Sequence, residues 1–164
     1  MTVSNGALPE TYKIVTATPI ITTNGAAVVF DNVSLKNCQM AYIVIELLAA
    51  VGHAHIINPL LGANVTTCAT VPTFNMRWWM NSAILVTDTL VEQTAGTTMT
   101  TDAAATNKLV VIQVNPDDMA NQGATLDCLG CSITASTHAE DFVSATYILE
   151  QRFAQATPPS AILD

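Results

Sequence analysis

Residues 142–153 read FVSATYILEQRF, and this stretch indicates the fold class most clearly. Its apolar side chains share one face of an extended chain, namely Val143, Ala145, Tyr147, Leu149 and Phe153. Polar residues alternate with them, and Ile148 is the one large apolar residue on the polar side. Successive side chains of a strand point to opposite faces, whereas a helix needs apolar residues every three or four positions. The stretch therefore predicts a long β-strand.

Short apolar runs separated by turn residues continue this pattern towards the N-terminus. We predict further strands at residues 12–16, 33–35, 41–48, 73–80, 85–91, 109–114 and 126–135. Uninterrupted apolar residues at 43–45 indicate that the strand at 41–48 is covered on both of its faces. Residues 47–51 could alternatively form one helical turn. Thr, Ala and Gly dominate residues 94–107, which we predict to be a long exposed loop.

A turn signal stands between two of the early apolar runs. Asn24 and Gly25 separate residues 20–21 from residues 26–30, and both accept a positive φ, which predicts a β-hairpin with a type I′ turn. Short strands at this spacing, in a chain with 23 threonines, are typical of sandwiches and barrels. We therefore predict an all-β protein: a single β-sandwich or jelly-roll-like domain with extended N- and C-terminal arms.

A length of 164 residues suits one compact domain. We expect residues 1–164 to form a single β domain, with an N-terminal arm at 1–11, a β-sandwich core at 12–153 and a C-terminal arm at 154–164. The C-terminal arm contains two consecutive prolines and cannot continue a central strand, because proline lacks the ladder donor. We expect this arm to lie on a neighbouring subunit.

Charge and hydropathy exclude several classes of protein. Five Lys and Arg against 13 Asp and Glu leave a net charge of −8, which disfavours binding to DNA or to an anionic membrane. Residues 1–11 contain no basic residue and no long apolar core, so no signal peptide is expected. The longest apolar stretch, 40–51, is interrupted by Glu46 and is too short to cross a bilayer. Only 11% of the residues are charged, which indicates that part of the surface contacts other subunits.

Four cysteines invite a metal or redox interpretation. Cys128 and Cys131 form a C-x-x-C motif, and with Cys38 and Cys68 they supply enough thiols for a zinc site. The pair lies inside an apolar run, however, rather than in a tight turn. We favour reduced cysteines that serve as small hydrophobic residues, with zinc, a redox pair or a disulfide as alternatives.

The histidines and acidic pairs give no catalytic signature. His53 and His55 fall on one strand face, but His138 and Glu140 are distant in sequence, so we interpret the pair as surface or interface residues and predict no metal or other cofactor. No Gly-x-Ser-x-Gly elbow and no phosphate-binding loop is present. Residues 117–118, both Asp, follow a proline and are predicted to be solvated turn carboxylates. We do not expect an enzyme.

Two adjacent tryptophans are the remaining candidates for binding. Trp78 and Trp79 follow Arg77, and aromatic and guanidinium planes stack well on a base or a sugar. Neighbouring residues of a strand point in opposite directions, however. The favoured interpretation therefore places one tryptophan in the core and the other at a subunit contact.

Three segments carry a resemblance to a known class of protein. They read LPETYKIV at 8–15, VSLKN at 33–37 and RFAQATPPSA at 152–161. With these segments the chain resembles small virion structural proteins of tailed bacteriophages, and the closing segment is the most distinctive. The resemblance implies a protein of the capsid exterior or of the tail, which assembles in the host cytoplasm and is repeated many times in each particle.

We accordingly expect a capsid decoration, or cement, protein on the outer surface of the head. It would bridge capsomers by binding the major capsid protein and copies of itself, as a trimer if it occupies threefold positions, with no nucleic acid or membrane as partner. Apolar and aromatic anchors dominate interfaces. We predict contacts through Leu8, Pro9, Tyr12, Trp78, Trp79, Phe153, Pro158, Pro159 and Ile162. The alternatives are a phage tail or head-tail adaptor component and a carbohydrate-binding module that uses the tryptophans.

Overall fold

The alternating stretch near the C-terminus forms the ten-residue strand β11 (Phe142–Gln151). Its side chains alternate between buried and half-buried over the whole length, as predicted. Tyr147 and Leu149 are fully enclosed in the core. Phe153 is 75% exposed, so its predicted place on the buried face is wrong. The reason is that β11 ends at Gln151, two residues before Phe153, so the alternation of strand side chains does not extend to Phe153.

The computed structural model describes residues 8–49, 52–153 and 160–162, apart from the side chains of residues 9 and 10. Two antiparallel sheets pack against each other, which confirms the predicted all-β sandwich. The other strands are β1 (Tyr12–Thr22), β2 (Val28–Val29), β3 (Val33–Ser34), β4 (Cys38–Leu48), β5 (Ile56–Gly62), β6 (Arg77–Asn81), β7 (Val91–Glu92), β8 (Met99–Thr100), β9 (Asn107–Val114) and β10 (Cys128–Ile133). The helices are α1 (Leu8–Thr11) and α2 (Pro116–Gln122).

The two sheets differ in size and in order. The six-stranded sheet has the order β1-β11-β4-β9-β6-β7. The five-stranded sheet has the order β2-β10-β5-β8, and β3 also pairs with β10. Large aliphatic residues from both sheets fill the space between them, among them Ile43, Ile45, Ile112, Ile57 and Leu129. Each such side chain stabilises the fold by roughly 1.5–3 kcal/mol when fully buried.

The predicted hairpin at Asn24 and Gly25 is wrong, although a turn is present. Strand β1 pairs with β11 in one sheet, whereas β2 pairs with β10 in the other, so the turn carries the chain between sheets. Gly25 has a φ of 72°, but no described residue other than glycine has a positive φ. A type I′ turn needs a positive φ at both central residues. Asn24 instead bridges to Ser136.

The predictions for residues 85–91 and 94–107 also need correction. Residues 84–86 form a turn, and within the predicted strand only Val91 pairs, as part of the short strand β7 at the edge of its sheet. The predicted loop at 94–107 contains β8, which pairs with β5. Its Met99 is completely buried. The strand at 85–91 was predicted from apolar content alone, which was not sufficient. The strand β8 was not predicted because the Thr-, Ala- and Gly-rich sequence of 94–107 shows no strand pattern.

Two local predictions fail for simple geometric reasons. Strand β4 is not covered on both faces: its residues alternate between buried ones and half-buried or exposed ones, and Glu46 is exposed. Residues 47–48 belong to this strand rather than to a helical turn. Asp117 and Asp118 begin α2 rather than a turn, because Asn115 caps the helix by accepting a hydrogen bond from the Asp117 N–H at 3.0 Å.

The ends of the described chain lie against its own domain. Helix α1 occupies the end of the predicted N-terminal arm. Ala161 is buried, and its carbonyl accepts a hydrogen bond from the Ser34 N–H at 2.7 Å. Ala161, in the predicted C-terminal arm, therefore packs on its own domain, and contact of the arm with a neighbouring subunit stays a prediction. Pro158 and Pro159 lie outside the described residues.

Candidate interaction surface

The face of the six-stranded sheet turned away from the core is the candidate functional site, and we call it the outer face. Five of its six strands contribute side chains at its centre. None of these is charged: Ile14, Thr16, Tyr42, Val44, Trp79, Val111, Thr146 and Ile148. Ile14 is 55% exposed, and the others are half-buried, apart from the exposed Thr16, because neighbouring side chains cover one another.

Strand register arranges these side chains in two rows. Ile14 lies opposite Ile148, which in turn lies opposite Tyr42. The second row runs from Thr16 through Thr146, Val44 and Val111 to Trp79. Cross-strand neighbours on one face lie roughly 4.5–5.5 Å apart, so each row forms a continuous surface.

The tryptophan pair divides between the two sides of β6, as strand geometry predicts. Trp78 is 5% exposed, and its indole N–H donates to the Thr94 carbonyl at 2.9 Å. It is a core residue and is unavailable as an interface anchor, which corrects that part of the predicted contact set. Trp79 lies on the outer face, where the Arg77 guanidinium stacks 4.9 Å from its ring centre.

Charged side chains of the outer face lie at its β7 edge and at two positions towards its opposite ends. Arg77 donates to the Glu92 carboxylate at 2.9 Å at the β7 edge. This hydrogen bond holds the pKa of Glu92 below its usual range. Glu46 and Glu150 project from the same face further along β4 and β11. Extended apolar patches with polar borders typically mark contact with other macromolecules.

A groove continues the outer face at one end. It has a volume of about 290 Å³, and its apolar lining includes Ile20, Leu48, Ile84 and Phe142. Glu46 is the one charged residue of its lining. The groove therefore extends the apolar surface beyond the two central rows.

The structure separates the predicted contact residues into distinct places. Leu8, Phe153 and Ile162 are 58%, 75% and 53% exposed, and Tyr12 is half-buried on β1. The side chain of Pro9 is not among those described. The prediction missed most of the outer face, although Ile148 on the polar side of β11 was a signal for it.

None of the four cysteines, all of which lie in the described residues, forms a disulfide, and Cys38, Cys128 and Cys131 are buried. Burial raises the pKa of Cys38 to about 11 and raises that of Cys131 further. Cys68 is half-buried. A thiol whose pKa is raised by burial is a poor nucleophile, and the burial of three of the four side chains is consistent with the interpretation as small hydrophobic residues.

His138 lies close to His53 and His55, although it is distant from them in sequence. The ring centres of His53 and His55 lie 4.8 Å apart, and those of His53 and His138 lie 6.3 Å apart. His55 is buried and precedes β5, so its predicted place on a strand face as a surface or interface residue is wrong. Its Nε2 lies 3.9 Å from a carboxylate oxygen of Asp141. Burial lowers the pKa of His55. In the described ranges, no three His, Cys, Asp or Glu side chains are arranged to hold a metal ion.

The same cluster contains Ser136, but the hydrogen bonding differs from that of a catalytic triad. Ser136 Oγ donates to the Asp141 carboxylate at 2.5 Å rather than to an imidazole. A nucleophilic serine has to donate to a general base and reach its substrate. Ser136 is buried, so the geometry is that of a structural network that anchors residues 136–141.

No family model matches this chain, and no curated protein matches it either. None of the described helices is long and apolar enough to cross a membrane. The functional interpretation therefore depends on the outer face and on the resemblance of the three sequence segments.

Proposed function

We propose that this protein is a structural subunit of a virion, a capsid decoration or cement protein that binds neighbouring shell subunits through its outer face. The observation that carries the proposal is the uncharged, largely apolar centre of that face, with eight residues in register on five strands. Apolar surface removed from water contributes roughly 25 cal/mol per Å². A broad sheet face of this kind suits a protein surface better than a small ligand, which binds in a concave site.

The net charge of the chain supports a position on the outer surface of the shell. The chain has a net charge of −8, which is repelled by packaged nucleic acid on the inside of a capsid. On the outer surface the same charge favours solubility of the unassembled protein. The resemblance to small virion proteins of tailed bacteriophages points to the same setting.

The mechanism is binding rather than catalysis. A subunit that contacts two capsomers adds its binding free energy to that needed to separate them, and many such contacts act together. The sandwich supplies rigidity, because the outer face lies on the same strands whose other face forms the core. The partners proposed are the major capsid protein and further copies of this chain.

The carbohydrate-binding alternative has less support. Trp79 is the tryptophan on the outer face, and Arg77 stacks over its ring and is held there by Glu92. A sugar would have to displace this ion-paired side chain before it could stack on the indole. We therefore place the tryptophan in a protein contact.

Copy number in purified particles tests the proposal. Quantitative mass spectrometry of particles produced from the genome that encodes this chain should find hundreds of copies per particle, in a simple ratio to the major shell protein. A handful of copies per particle would contradict decoration and favour the tail or adaptor alternative. Absence from the particles would overturn a virion role.

A pair of variants tests the outer face itself. Val44→Lys places a charge at the centre of the outer face, whereas Val29→Lys places the same charge on β2 of the other sheet, where Val29 is 70% exposed. Occupancy on particles should fall at least about tenfold for the first variant, a change of roughly 1.4 kcal/mol. It should stay unchanged for the second. Equal occupancy for both variants would show that the outer face is not the attachment surface.

A further inference from the structure

The turn at Asn24 and Gly25 contains a chemically reactive pair of residues. Asparagine is thermolabile, and it reacts most easily when a glycine follows, because glycine has no Cβ to obstruct the approach of its backbone nitrogen. Asn24 and Gly25 are both exposed. A Cβ atom built on Gly25 would meet no atom beyond its chain neighbours within 4 Å. This side of the turn is therefore open to water.

The reaction available to this pair is deamidation. The backbone nitrogen of Gly25 forms a bond to the side-chain carbon Cγ of Asn24, and the bond from Cγ to the amide nitrogen breaks. The proton lost by the Gly25 nitrogen passes through solvent to the leaving group, which departs as ammonia. Water then opens the succinimide ring and leaves aspartate or isoaspartate at position 24. The product has one more negative charge than the starting chain.

In the folded protein, a neighbouring segment holds the attacking nitrogen. The Gly25 N–H donates to the Ser136 carbonyl at 2.7 Å. The same segment binds the preceding residue, because the Thr23 N–H donates to the Asp141 carbonyl at 3.0 Å and the Ser136 N–H donates to the Thr23 carbonyl at 2.8 Å. We call residues 136–141 the clamp. While the clamp is closed, the Gly25 nitrogen cannot lose its proton and turn towards Asn24, since its negative charge would face a carbonyl oxygen.

One hydroxyl group joins the two ends of the clamp. Ser136 Oγ donates to the Asp141 carboxylate at 2.5 Å, and it accepts a hydrogen bond from the His138 N–H at 3.0 Å. Ser136 and Asp141 are both buried. Loss of this hydroxyl should loosen the clamp while the Ser136 carbonyl, which holds Gly25, is retained.

We propose that Asn24 is a site of deamidation and that opening of the clamp limits the rate of the reaction. When only a transiently open state reacts and reclosing is fast, the observed rate follows the open fraction. The new carboxylate would lie in a turn whose backbone faces the carbonyl oxygens of Ser136 and Asp141, which disfavours reclosing. Deamidation is then a one-way release of the clamp. The proposal concerns the purified chain and does not rest on the virion role.

Peptide mapping by mass spectrometry tests the site and the clamp without any variant. The purified protein is incubated at one pH and temperature, folded in buffer or unfolded in urea, and the deamidated fraction at residue 24 is followed over time. In urea, Asn24 should react as fast as Asn5, which also precedes a glycine. In the folded protein, Asn24 should react at least about tenfold more slowly than in urea. Equal rates at Asn24 in the two conditions would overturn the clamp, and no reaction in urea would overturn the site.

A pair of serine variants tests what holds the clamp. Ser136→Ala removes the hydroxyl and should accelerate deamidation of the folded protein at least about threefold, as the loss of one hydrogen bond implies. Ser132→Ala, at a half-buried position of β10, is the matched control and should leave the rate unchanged. Thermal unfolding establishes that both variants are folded during the incubation. The same rate in both variants would show that the clamp does not control Asn24.

The variant Asn24→Asp has the charge of the product and tests the release. Hydrogen exchange at the amides of Thr23 and Gly25, which donate to the clamp, should be at least about threefold faster than in the wild type. The amide of Tyr147, in the middle of β11, should exchange as before. Asn24→Gln adds no charge and should exchange like the wild type. Unchanged exchange at Thr23 and Gly25 in Asn24→Asp would contradict a release by the product.

Discussion

Gly130, between Cys128 and Cys131, occupies a position where only a glycine fits without a clash. A Cβ atom at this position would overlap the Asn32 side-chain oxygen and would lie 3.0 Å from the Cβ of Cys68. Asn32 in turn donates from Nδ2 to the Val65 carbonyl at 2.9 Å. The glycine thus lets Asn32 and Cys68 approach β10 closely.

Gly130→Ala should therefore destabilise the protein by about 1–3 kcal/mol, the range typical of overpacked cores. Chemical denaturation followed by tryptophan fluorescence measures the change. Ser132→Ala, on the same strand and half-buried, is the control and should change the free energy of unfolding by less than about 0.5 kcal/mol. Equal stabilities for the glycine variant and the wild type would show that the contact relaxes without strain.

His55 gives the fold a defined pH dependence. Burial lowers its pKa in the folded state, whereas an unfolded histidine has a pKa of about 6.5. As the pH falls through that value, the unfolded chain takes up a proton that folded His55 resists. The stability contributed by neutral His55 is therefore complete above about pH 6.5 and decreases below it, by up to about 1.4 kcal/mol per pH unit. The charged or titratable groups that act on His55 are His53, Asp141 and Lys108.

Unfolding free energies measured from about pH 7.5 down to about pH 5 test this dependence. The wild type should lose more stability over this range than His55→Gln, which has no proton to gain at this position. Subtracting the pH curve of the variant from that of the wild type cancels the contribution of the other titratable groups, which both proteins share. Parallel curves for the two proteins would contradict a lowered pKa at His55.

Individual strands were predictable to different degrees. Strand β11 was predicted because its alternation is clean and local, and β4, β9 and β10 followed from their apolar content. The Asn24-Gly25 turn was predicted as a hairpin because a local signal specifies a turn but not the sheet to which each flanking strand belongs. The outer face was missed because it depends on the order β1-β11-β4-β9-β6, which is set by pairing between strands distant in sequence.

The two tryptophans of β6 test whether its side chains alternate between the core and the outer face. Trp78→Ala should destabilise the fold by about 3–5 kcal/mol, since it opens a large cavity in the core. Trp79→Ala should cost less than about 1.5 kcal/mol, because the ring is half-buried on the outer face. Urea denaturation of both variants compares them within one strand. Similar losses for both would contradict the assignment of the two tryptophans to opposite sides.

The whole molecule combines a sandwich core with an apolar outer face, which a groove continues at one end. The central rows of this face are proposed to meet the shell. Because each attached copy contacts neighbouring shell subunits, many copies would act together to hold a shell closed.

Hydroxyl-radical footprinting of the protein, free and on assembled particles, tests most directly whether the outer face is a contact surface. Oxidation of Tyr42 and Trp79 should fall severalfold on particles relative to the free protein, whereas the buried Trp78 should react slowly in both states and serves as the internal control. Phe74, half-buried and packed against the core, should react equally in both. Equal oxidation of Tyr42 and Trp79 in the free and assembled states would contradict attachment through the outer face.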